Sequence, residues 1–399
     1  MPNKPELMAI PTPTGCDIFC NAIDNYGDIG VCWRLARQLA NEHGLSVRLW
    51  VDDLVSFAML CHEADAAAEQ QECRGVEVCL WSKSFPEVQP AELVIEAFAC
   101  KLPESYVAAM AAQAHKPTWI NLEYLSAEDW VESHHKLPSP HPTLPLTKYF
   151  FFPGFTRQTG GLLLERDLLE LRDAFHRDTA QQQAFWNSFG MGIPGAETLK
   201  VSLFAYENAS LAGVFDVWSS GDQPVLCLVP EGRILPQVRQ YFGDAAPGVG
   251  RDYVQGSLHV RVLPFVEQER YDELLWACDV NFVRGEDSWV RAQWAGKPFI
   301  WQIYPQHDAV HLKKLEAFLM LYSKQFSQSA SMAVRDLWES WNMESRTGLA
   351  WPAFIAARDE LDSHAQHWAQ QMAENNLALN ILDFSREIGR MRAFEIEGQ

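Results

Sequence analysis

The chain has 399 residues, 48% of them hydrophobic, which predicts a globular protein of two domains because single cores rarely grow past about 250–300 residues. Its formal net charge of −20 disfavours nucleic acid and anionic membranes as partners, since both would be repelled. The N-terminal residues lack the apolar core of a signal peptide, and no apolar run approaches the roughly 20 residues of a membrane span, so we expect a cytoplasmic protein.

The first predicted unit is a strand over 16–23, a loop over 24–30 and an amphipathic helix. In an open α/β sheet, such a loop lies at the carboxyl edge of the strand, where ligands bind. Its two carboxylates, Asp24 and Asp28, are candidates for chemistry. Asp28 could instead be the N-cap of the helix, and Asp24 could form an Asx turn.

Strands and helices then alternate, which predicts a parallel sheet covered by helices. The segment 126–147, rich in Ser, Glu, His and Pro, is predicted to be a long loop. The first domain is placed at 1–189. Its remaining predicted elements are a strand over 47–51, a helix over 53–69, strands over 76–81 and 93–98, a helix over 104–114, strands over 118–125 and 148–155, and a helix over 167–189.

A literal GxGxxG occupies 190–195. The dinucleotide-binding version of this motif follows a strand and opens a helix, whereas this copy follows a helix and precedes a strand. We therefore interpret it as an interdomain hinge.

The second domain, 190–375, repeats the alternation and predicts another nucleotide-type sheet. The two Rossmann-like domains are expected to face each other across a cleft, with a C-terminal helix over about 376–399 packing back on the first. The predicted elements are strands over 199–207, 225–229, 258–266 and 280–283, and helices around Phe215 and over 268–278.

A second informative loop runs from Arg284 to Ser288, before a helix predicted to begin near Trp289. Helix amides and Arg284 suit a diphosphate, and Glu286 suits ribose hydroxyls. The alternative is that Glu286 and Asp287 only favour the helix dipole. Two acidic strand-to-helix loops, one in each domain, favour the functional interpretation.

Nine cysteines without a CxxC pair indicate buried thiols in a reducing compartment. The histidine and cysteine spacings do not resemble a zinc site. We therefore predict neither a metal nor a cofactor.

Several long motifs resemble the arginine rhamnosyltransferases of bacterial elongation factor P, and the resemblance is weakest over about 325–375. It implies a metal-independent, inverting glycosyltransferase of the two-Rossmann GT-B type. The donor would be dTDP-β-L-rhamnose, and the acceptor an arginine side chain of elongation factor P, which the modification activates. The motifs include DNYGDIGVCWRLARQLA, NLEYLSAE, KYFFFPGF, GGLLLERD and RGEDSWVRAQWAGKPFIWQIYPQ.

By the same resemblance, Asp24 and Asp28 would be the catalytic pair, with Asp28 as the favoured base. A charged guanidinium is a poor nucleophile, so a carboxylate that orients it and takes its proton is chemically apt. A non-catalytic module that binds a nucleotide sugar or elongation factor P stays open, as does another donor sugar. The implied donor-binding residues are Asn25, Tyr206, Phe265, Gln268, Tyr271, Arg284, Glu286, Asp287, Ser288 and Tyr304.

Overall fold

The computed structural model describes residues 13–22, 26–244, 248–305 and 310–397. These residues form two compact units. The first comprises the described parts of Met1–Ser126, Trp130–Leu164 and Asn375–Gln399, and the second comprises Ala127–Asp129 and the described parts of Glu165–Glu374. None of the described helices has the length and apolar character needed to cross a membrane.

The first unit is built on an eight-stranded sheet in the order β3-β4-β2-β1-β5-β6-β8-β7. Its six inner strands are parallel, and β3 and β7 are antiparallel edge strands. Numbered along the chain, the parallel strands follow the Rossmann order 3-2-1-4-5-6. The strands are β1 Gly15–Cys20, β2 Ser46–Val51, β3 Gln70–Cys73, β4 Val76–Leu80, β5 Leu93–Ala97, β6 Thr118–Leu122, β7 Pro138–Pro140 and β8 Thr147–Phe151.

Helices cover this sheet, as the alternating sequence predicts. The C-terminal helix α15 packs on α1 and β6, and the Leu377 amide donates to the Leu162 carbonyl at 2.9 Å. The C-terminal segment therefore belongs to the first unit. The helices are α1 Gly27–Asn41, α2 Leu54–Leu60, α3 Glu104–Ala112, α4 Trp130–His134 and α15 Leu377–Glu397.

A buried carboxylate holds β1 in place. Asp17 is fully buried, and Arg48 of β2 donates to both of its oxygens at 2.6 Å. Tyr106 of α3 and the Ala91 amide donate to the same carboxylate. Because charged hydrogen bonds are strong when buried, this network fixes the strand that leads into the first acidic loop.

The second unit has a six-stranded sheet in the order β11-β12-β10-β9-β13-β14, with β11 antiparallel. Its five parallel strands follow the order 3-2-1-4-5, so the predicted α/β class is confirmed for both units. The strands are β9 Leu199–Leu203, β10 Val225–Pro230, β11 Asp252–Gln255, β12 Leu258–Leu263, β13 Val280–Arg284 and β14 Phe299–Gln302.

Ten α-helices of the described chain belong to the second unit, and the last four form a helical layer in which α12 packs on β14, α11 and α14 pack on α10, and α13 packs on α7 and α12. The nine cysteines of the chain are free thiols, eight of them buried, as the sequence predicts. The helices are α5 Leu168–Arg177, α6 Thr179–Ser188, α7 Leu211–Ser220, α8 Leu235–Tyr241, α9 Gln268–Ala277, α10 Asp287–Ala295, α11 Val310–Tyr322, α12 Gln328–Asn342, α13 Thr347–Ala356 and α14 Arg358–Met372.

Several predicted strands extend three or four residues past the observed ones, and three predicted elements differ from the structure in more than their ends. The helix predicted over 53–69 ends at Leu60, because Gln70–Cys73 pairs with β4 through a turn at Arg74 and Gly75, both with positive φ. The helix predicted over 167–189 is two helices, since Asp178 caps the second by accepting from the Ala180 amide at 2.8 Å. The loop predicted over 126–147 contains α4 and β7.

The chain divides at 164/165 rather than near 190. Helix α5 packs against α9 and α10, and Arg172 donates to the Trp294 carbonyl at 2.8 Å. The segment 190–195 therefore lies within the second unit, where it connects α6 to β9. Its interpretation as an interdomain hinge is wrong.

A buried histidine in the helical layer is expected to make the stability of the fold depend on pH. His364 of α14 packs on Tyr322 and Phe326 with ring centroids 4.7 and 4.3 Å away, and burial lowers its pKa to about 4. Because an unfolded histidine has a pKa of about 6.5, the unfolded chain takes up this proton first. The contribution of His364 to stability is present above pH 6.5 and is lost as the pH falls toward 4.

We expect the thermal midpoint to fall between pH 7 and pH 5, and His364→Phe to reduce that fall. The matched control is His115→Phe at an exposed site of the first unit. Calorimetric melting at both pH values checks this. Equal pH dependence in wild type and His364→Phe would contradict it.

Candidate active site

The sheet orders locate the candidate site before any side chain is considered. In Rossmann-type sheets, ligands bind at the carboxyl ends of the two strands where the order reverses. These strands are β1 and β5 in the first unit, and β9 and β13 in the second. The loops that follow them contain both acidic segments singled out in the sequence.

Asp28 lies at the switch point of the first unit. Helix α1 begins at Gly27, with Tyr26 at the N-cap position and no side-chain cap. Asp28 is therefore in the first turn, and its interpretation as the N-cap is wrong. It is 3% exposed, and its charge is favourable beside the helix N-terminus. Asp24 and Asn25 lie outside the described residues, so the predicted pair is described here by Asp28 alone.

Neighbouring groups add to the electrostatics of this edge. The pKa of the Cys20 thiol, at the end of β1, is raised well above its usual value by a hydrogen bond with Cys32 and by burial, with Asp28 and Asp52 adding to the effect. Asp52 also accepts from the Ala22 amide at 2.9 Å. The sequence analysis missed Asp52, although it directly follows β2, whose carboxyl end meets the same edge.

The loop after β5 completes this switch point and is conformationally strained. Phe98, Ala99 and Lys101 all have φ between 54° and 56°, a region that costs non-glycine residues roughly 1–3 kcal/mol each. The Ala99 amide donates to the Asn121 side chain at 3.1 Å, and Phe98 stacks on Tyr124. These contacts hold the loop in its strained conformation.

In the second unit, the loop after β13 is a tight turn into α10. Gly285 has φ +61°, which glycine adopts without a steric penalty. Ser288 closes the turn, because its hydroxyl donates to the Arg284 carbonyl and accepts from the Arg284 amide. Helix α10 begins at Asp287 rather than near Trp289. Glu286 takes the N-cap position, and its side chain does not cap the helix.

Arg284 is held between two aromatic rings. Its guanidinium carbon lies 4.5 Å from the Phe204 ring centroid and 4.6 Å from that of Tyr206. Tyr206 in turn packs edge-to-face on Tyr304, with the centroids 5.5 Å apart. The structure therefore brings together three predicted donor-binding residues, and Phe204 is a neighbour that the sequence analysis missed.

The remaining predicted residues surround α9 and α10. Gln268, the first residue of α9, donates to Asp287 at 3.3 Å. Tyr271 packs on Phe204 with centroids 5.5 Å apart, and burial raises its pKa, so its hydroxyl stays protonated. Phe265 is half-buried in the connection between β12 and α9. The N-terminal ends of α9 and α10 are thus linked.

A buried ion pair fixes α10. Arg291, 1% exposed, donates to both oxygens of Asp272 at 2.7 and 2.8 Å and to Glu165. On the same helix, Trp289 stacks on Trp301 of β14 with centroids 3.6 Å apart. Helix α10 therefore presents its first-turn amides from a rigid support, as anion binding requires.

The arrangement in the second unit suits a nucleoside diphosphate. A helix N-terminus and a fixed guanidinium attract the phosphates, and aromatic side chains beside them suit a base. Throughout 13–22, 26–244, 248–305 and 310–397, the described side chains form no group of three or more His, Cys, Asp or Glu that could hold a metal ion.

Comparison with known proteins gives the family. Residues 16–386 match the family model described as Elongation-Factor P (EF-P) rhamnosyltransferase EarP. Two relatives are named protein-arginine rhamnosyltransferase: one from Pseudomonas putida, 52% identical over 93% of this chain and 98% of its own, and one from Pseudomonas aeruginosa, 48% identical over 92% and 98%.

A solved structure described as the structural basis for EarP-mediated arginine glycosylation of translation elongation factor EF-P is also similar. It is 39% identical, covers 93% of this chain and 98% of its own, and superimposes with a TM-score of 0.68. The family match and the structural match each extend over most of the chain and include both units. The chain belongs to the EarP family of elongation factor P rhamnosyltransferases.

Proposed function

We propose that this protein transfers L-rhamnose from dTDP-β-L-rhamnose to an arginine side chain of elongation factor P, with inversion at the sugar carbon, and thereby activates that factor. The names of its relatives support the reaction. The main observation that supports binding of the nucleotide donor is the position of the Arg284 guanidinium, against Phe204 and Tyr206 and beside the N-terminus of α10.

The nucleotide diphosphate of the donor has matching groups in the second unit. The diphosphate is bound by Arg284 and the first-turn amides of α10, and the ribose hydroxyls by the Glu286 carboxylate. Phe265, Gln268 and Tyr271 contact the base, and Tyr206 and Tyr304 enclose the nucleotide. Asn25 contacts the sugar.

Asp28 acts as the base for the acceptor arginine. A guanidinium nitrogen attacks the anomeric carbon, the carbon–nitrogen bond forms, and the bond to the diphosphate oxygen breaks with its electron pair on dTDP. Asp28 takes the proton that nitrogen loses, and Asp24 stabilises the positive charge that develops on the sugar. A single displacement of this kind inverts the anomeric carbon.

The proposal is tested by incubating purified elongation factor P with this protein and either dTDP-β-L-rhamnose or UDP-glucose, followed by intact-mass analysis. We expect a gain of one deoxyhexose with the first donor and no gain with the second. A hexose gain from UDP-glucose would overturn the assigned donor. Tight binding of dTDP-rhamnose without any mass gain would indicate a non-catalytic binding module.

We also expect the reaction to proceed without a divalent metal. The charge that develops on the leaving diphosphate is met by Arg284 and the α10 amides, which supply the stabilisation that a metal gives in other transferases. Initial rates measured in excess EDTA should equal those without chelator. Loss of turnover with EDTA that magnesium restores would contradict this prediction.

The expected setting is the cytoplasm, with elongation factor P as the protein partner. The formal net charge of −20 disfavours stable binding to nucleic acid or to anionic membranes, because like charges repel.

A further inference from the structure

The two loops that carry Tyr206 and Tyr304 are joined through the C-terminal end of α12. This helix lies in the segment whose resemblance to the family is weakest. Its last two residues, Trp341 and Asn342, exchange hydrogen bonds with the loop after β9 and with the end of β14.

Asn342 takes the place of a neighbouring strand. Strand β14 is the last strand of its sheet, so one of its edges would present unpaired backbone groups. The Asn342 side chain donates to the Trp301 carbonyl at 2.8 Å and accepts from the Ile303 amide at 3.0 Å. These two groups face the same edge two residues apart, as the bonds of a strand ladder do. The side-chain amide of Asn342 therefore continues the strand-like hydrogen bonding past the end of β14, as far as the residue before Tyr304.

Gln302 joins that strand to the loop after β9. Its side chain is 4% exposed and accepts from the Tyr206 amide at 2.8 Å. It also donates to the Glu207 carbonyl at 3.4 Å. The backbone of Tyr206 is therefore positioned by the residue two before Tyr304.

Asn208 closes the loop on α12. It is 1% exposed and donates to the Trp341 carbonyl at 2.7 Å, while it accepts from the Ser210 amide at 2.9 Å. The Trp341 carbonyl, at the C-terminal end of α12, also accepts from the Glu344 amide at 3.3 Å. Because buried amides are expensive to leave unbonded, the Asn208 contact resists opening.

We propose that Asn208, Gln302 and Asn342, here called the amide clamp, are positioning residues that set the spacing of Tyr206 and Tyr304 and thereby the affinity for the nucleotide donor. The inference rests on the proposed function, in which these tyrosines contact the nucleotide. Tyr206 is 3% exposed and Tyr304 is 38% exposed. Because less of the Tyr304 side chain is packed, its position depends more on the contacts that neighbouring residues make with its backbone. Preorganised side chains bind more tightly because less ordering is needed on binding.

The test compares Asn342→Ala and Asn342→Asp with Ser340→Ala. Asn342 is half-buried, which favours folding of its variants, and Asp keeps the acceptor for the Ile303 amide while it loses the donor. Ser340, in the same turn, bonds only within α12 through its hydroxyl and is the matched control. The measurements are dTDP titration calorimetry, steady-state kinetics and hydrogen exchange of the Tyr206 and Ile303 amides.

In Asn342→Ala we expect dTDP affinity to fall and donor KM to rise by about tenfold, with kcat at saturating donor within about twofold of wild type. Exchange should quicken at both Ile303 and Tyr206. Asn342→Asp should weaken donor binding at least as much as Asn342→Ala, because its carboxylate would face the Trp301 and Trp338 carbonyls, and Ser340→Ala should match wild type.

Unchanged donor KM, or a fall in kcat alone, would overturn the inference, as would faster exchange confined to Ile303. Hydrogen exchange is measured without the nucleotide donor, so it tests the amide clamp independently of the proposed function. If wild type fails to bind dTDP while exchange still quickens in both loops, the clamp is supported and the proposed donor is overturned.

Discussion

Replacing Asp28 by Asn should lower the turnover of elongation factor P by roughly 10²–10⁴-fold, the usual contribution of a general base. The substitution keeps the shape of the side chain and removes the proton acceptor for the guanidinium. Donor affinity should stay nearly constant, since Arg284 and α10 lie in the second unit. Single-turnover assays beside titration calorimetry with dTDP-rhamnose measure both quantities.

The substitution does not remove an N-cap. Asp28 lies in the first turn of α1, where the favourable interaction of its charge with the helix dipole contributes about 0.3–1 kcal/mol. Asp178→Asn is the matched control, because Asp178 is a true N-cap that accepts from the Ala180 and Gln181 amides. It should turn over at the wild-type rate. Near wild-type turnover of Asp28→Asn would instead assign the base to Asp24.

Replacing Glu286 by Ala should weaken donor binding by about 10- to 100-fold, because a charged hydrogen bond contributes roughly 1.5–3 kcal/mol and every 1.4 kcal/mol is tenfold. The carboxylate is not used to cap α10, so its removal should cost the helix little. Turnover at saturating donor should change far less than donor KM. Titration of dTDP-rhamnose and of dTDP measures the effect.

The control for Glu286→Ala is Glu104→Ala, which removes an exposed glutamate from the first turn of α3 in the first unit. It should leave donor affinity unchanged. Equal donor affinity in Glu286→Ala and wild type would show that Glu286 only complements the helix dipole. That alternative was left open by the sequence.

Local sequence patterns predict the elements whose structure depends on residues close together in the chain. Buried strands such as Val225–Pro230 are continuous apolar runs, and their alternation with helices allows few sheet orders. The Ala and Glu residues of the segment 61–69 predict helix, whereas the hairpin at Arg74 and Gly75 takes the chain into strand. Tertiary pairing decided against intrinsic propensity there.

The candidate site likewise has features that are local in the sequence and contacts that join distant residues. The strand-to-helix loops with Asp28 and Glu286 are visible in the sequence, because each feature lies within a few residues. The contacts that support them join distant positions: Asn208 meets a carbonyl 133 residues away, and Gln302 meets an amide 96 residues away. Side-chain amides of this kind have no local pattern, so only the folded chain identifies them.

The proposed function is the attachment of one rhamnose to one arginine of elongation factor P. The most direct measurement is peptide mapping by tandem mass spectrometry of elongation factor P after incubation with dTDP-β-L-rhamnose and either wild type or Asp28→Asn. We predict a single deoxyhexose on one arginine side chain with wild type, and a trace or none with the variant under the same conditions. An unmodified factor, or the sugar on a residue other than arginine, would contradict the proposed function.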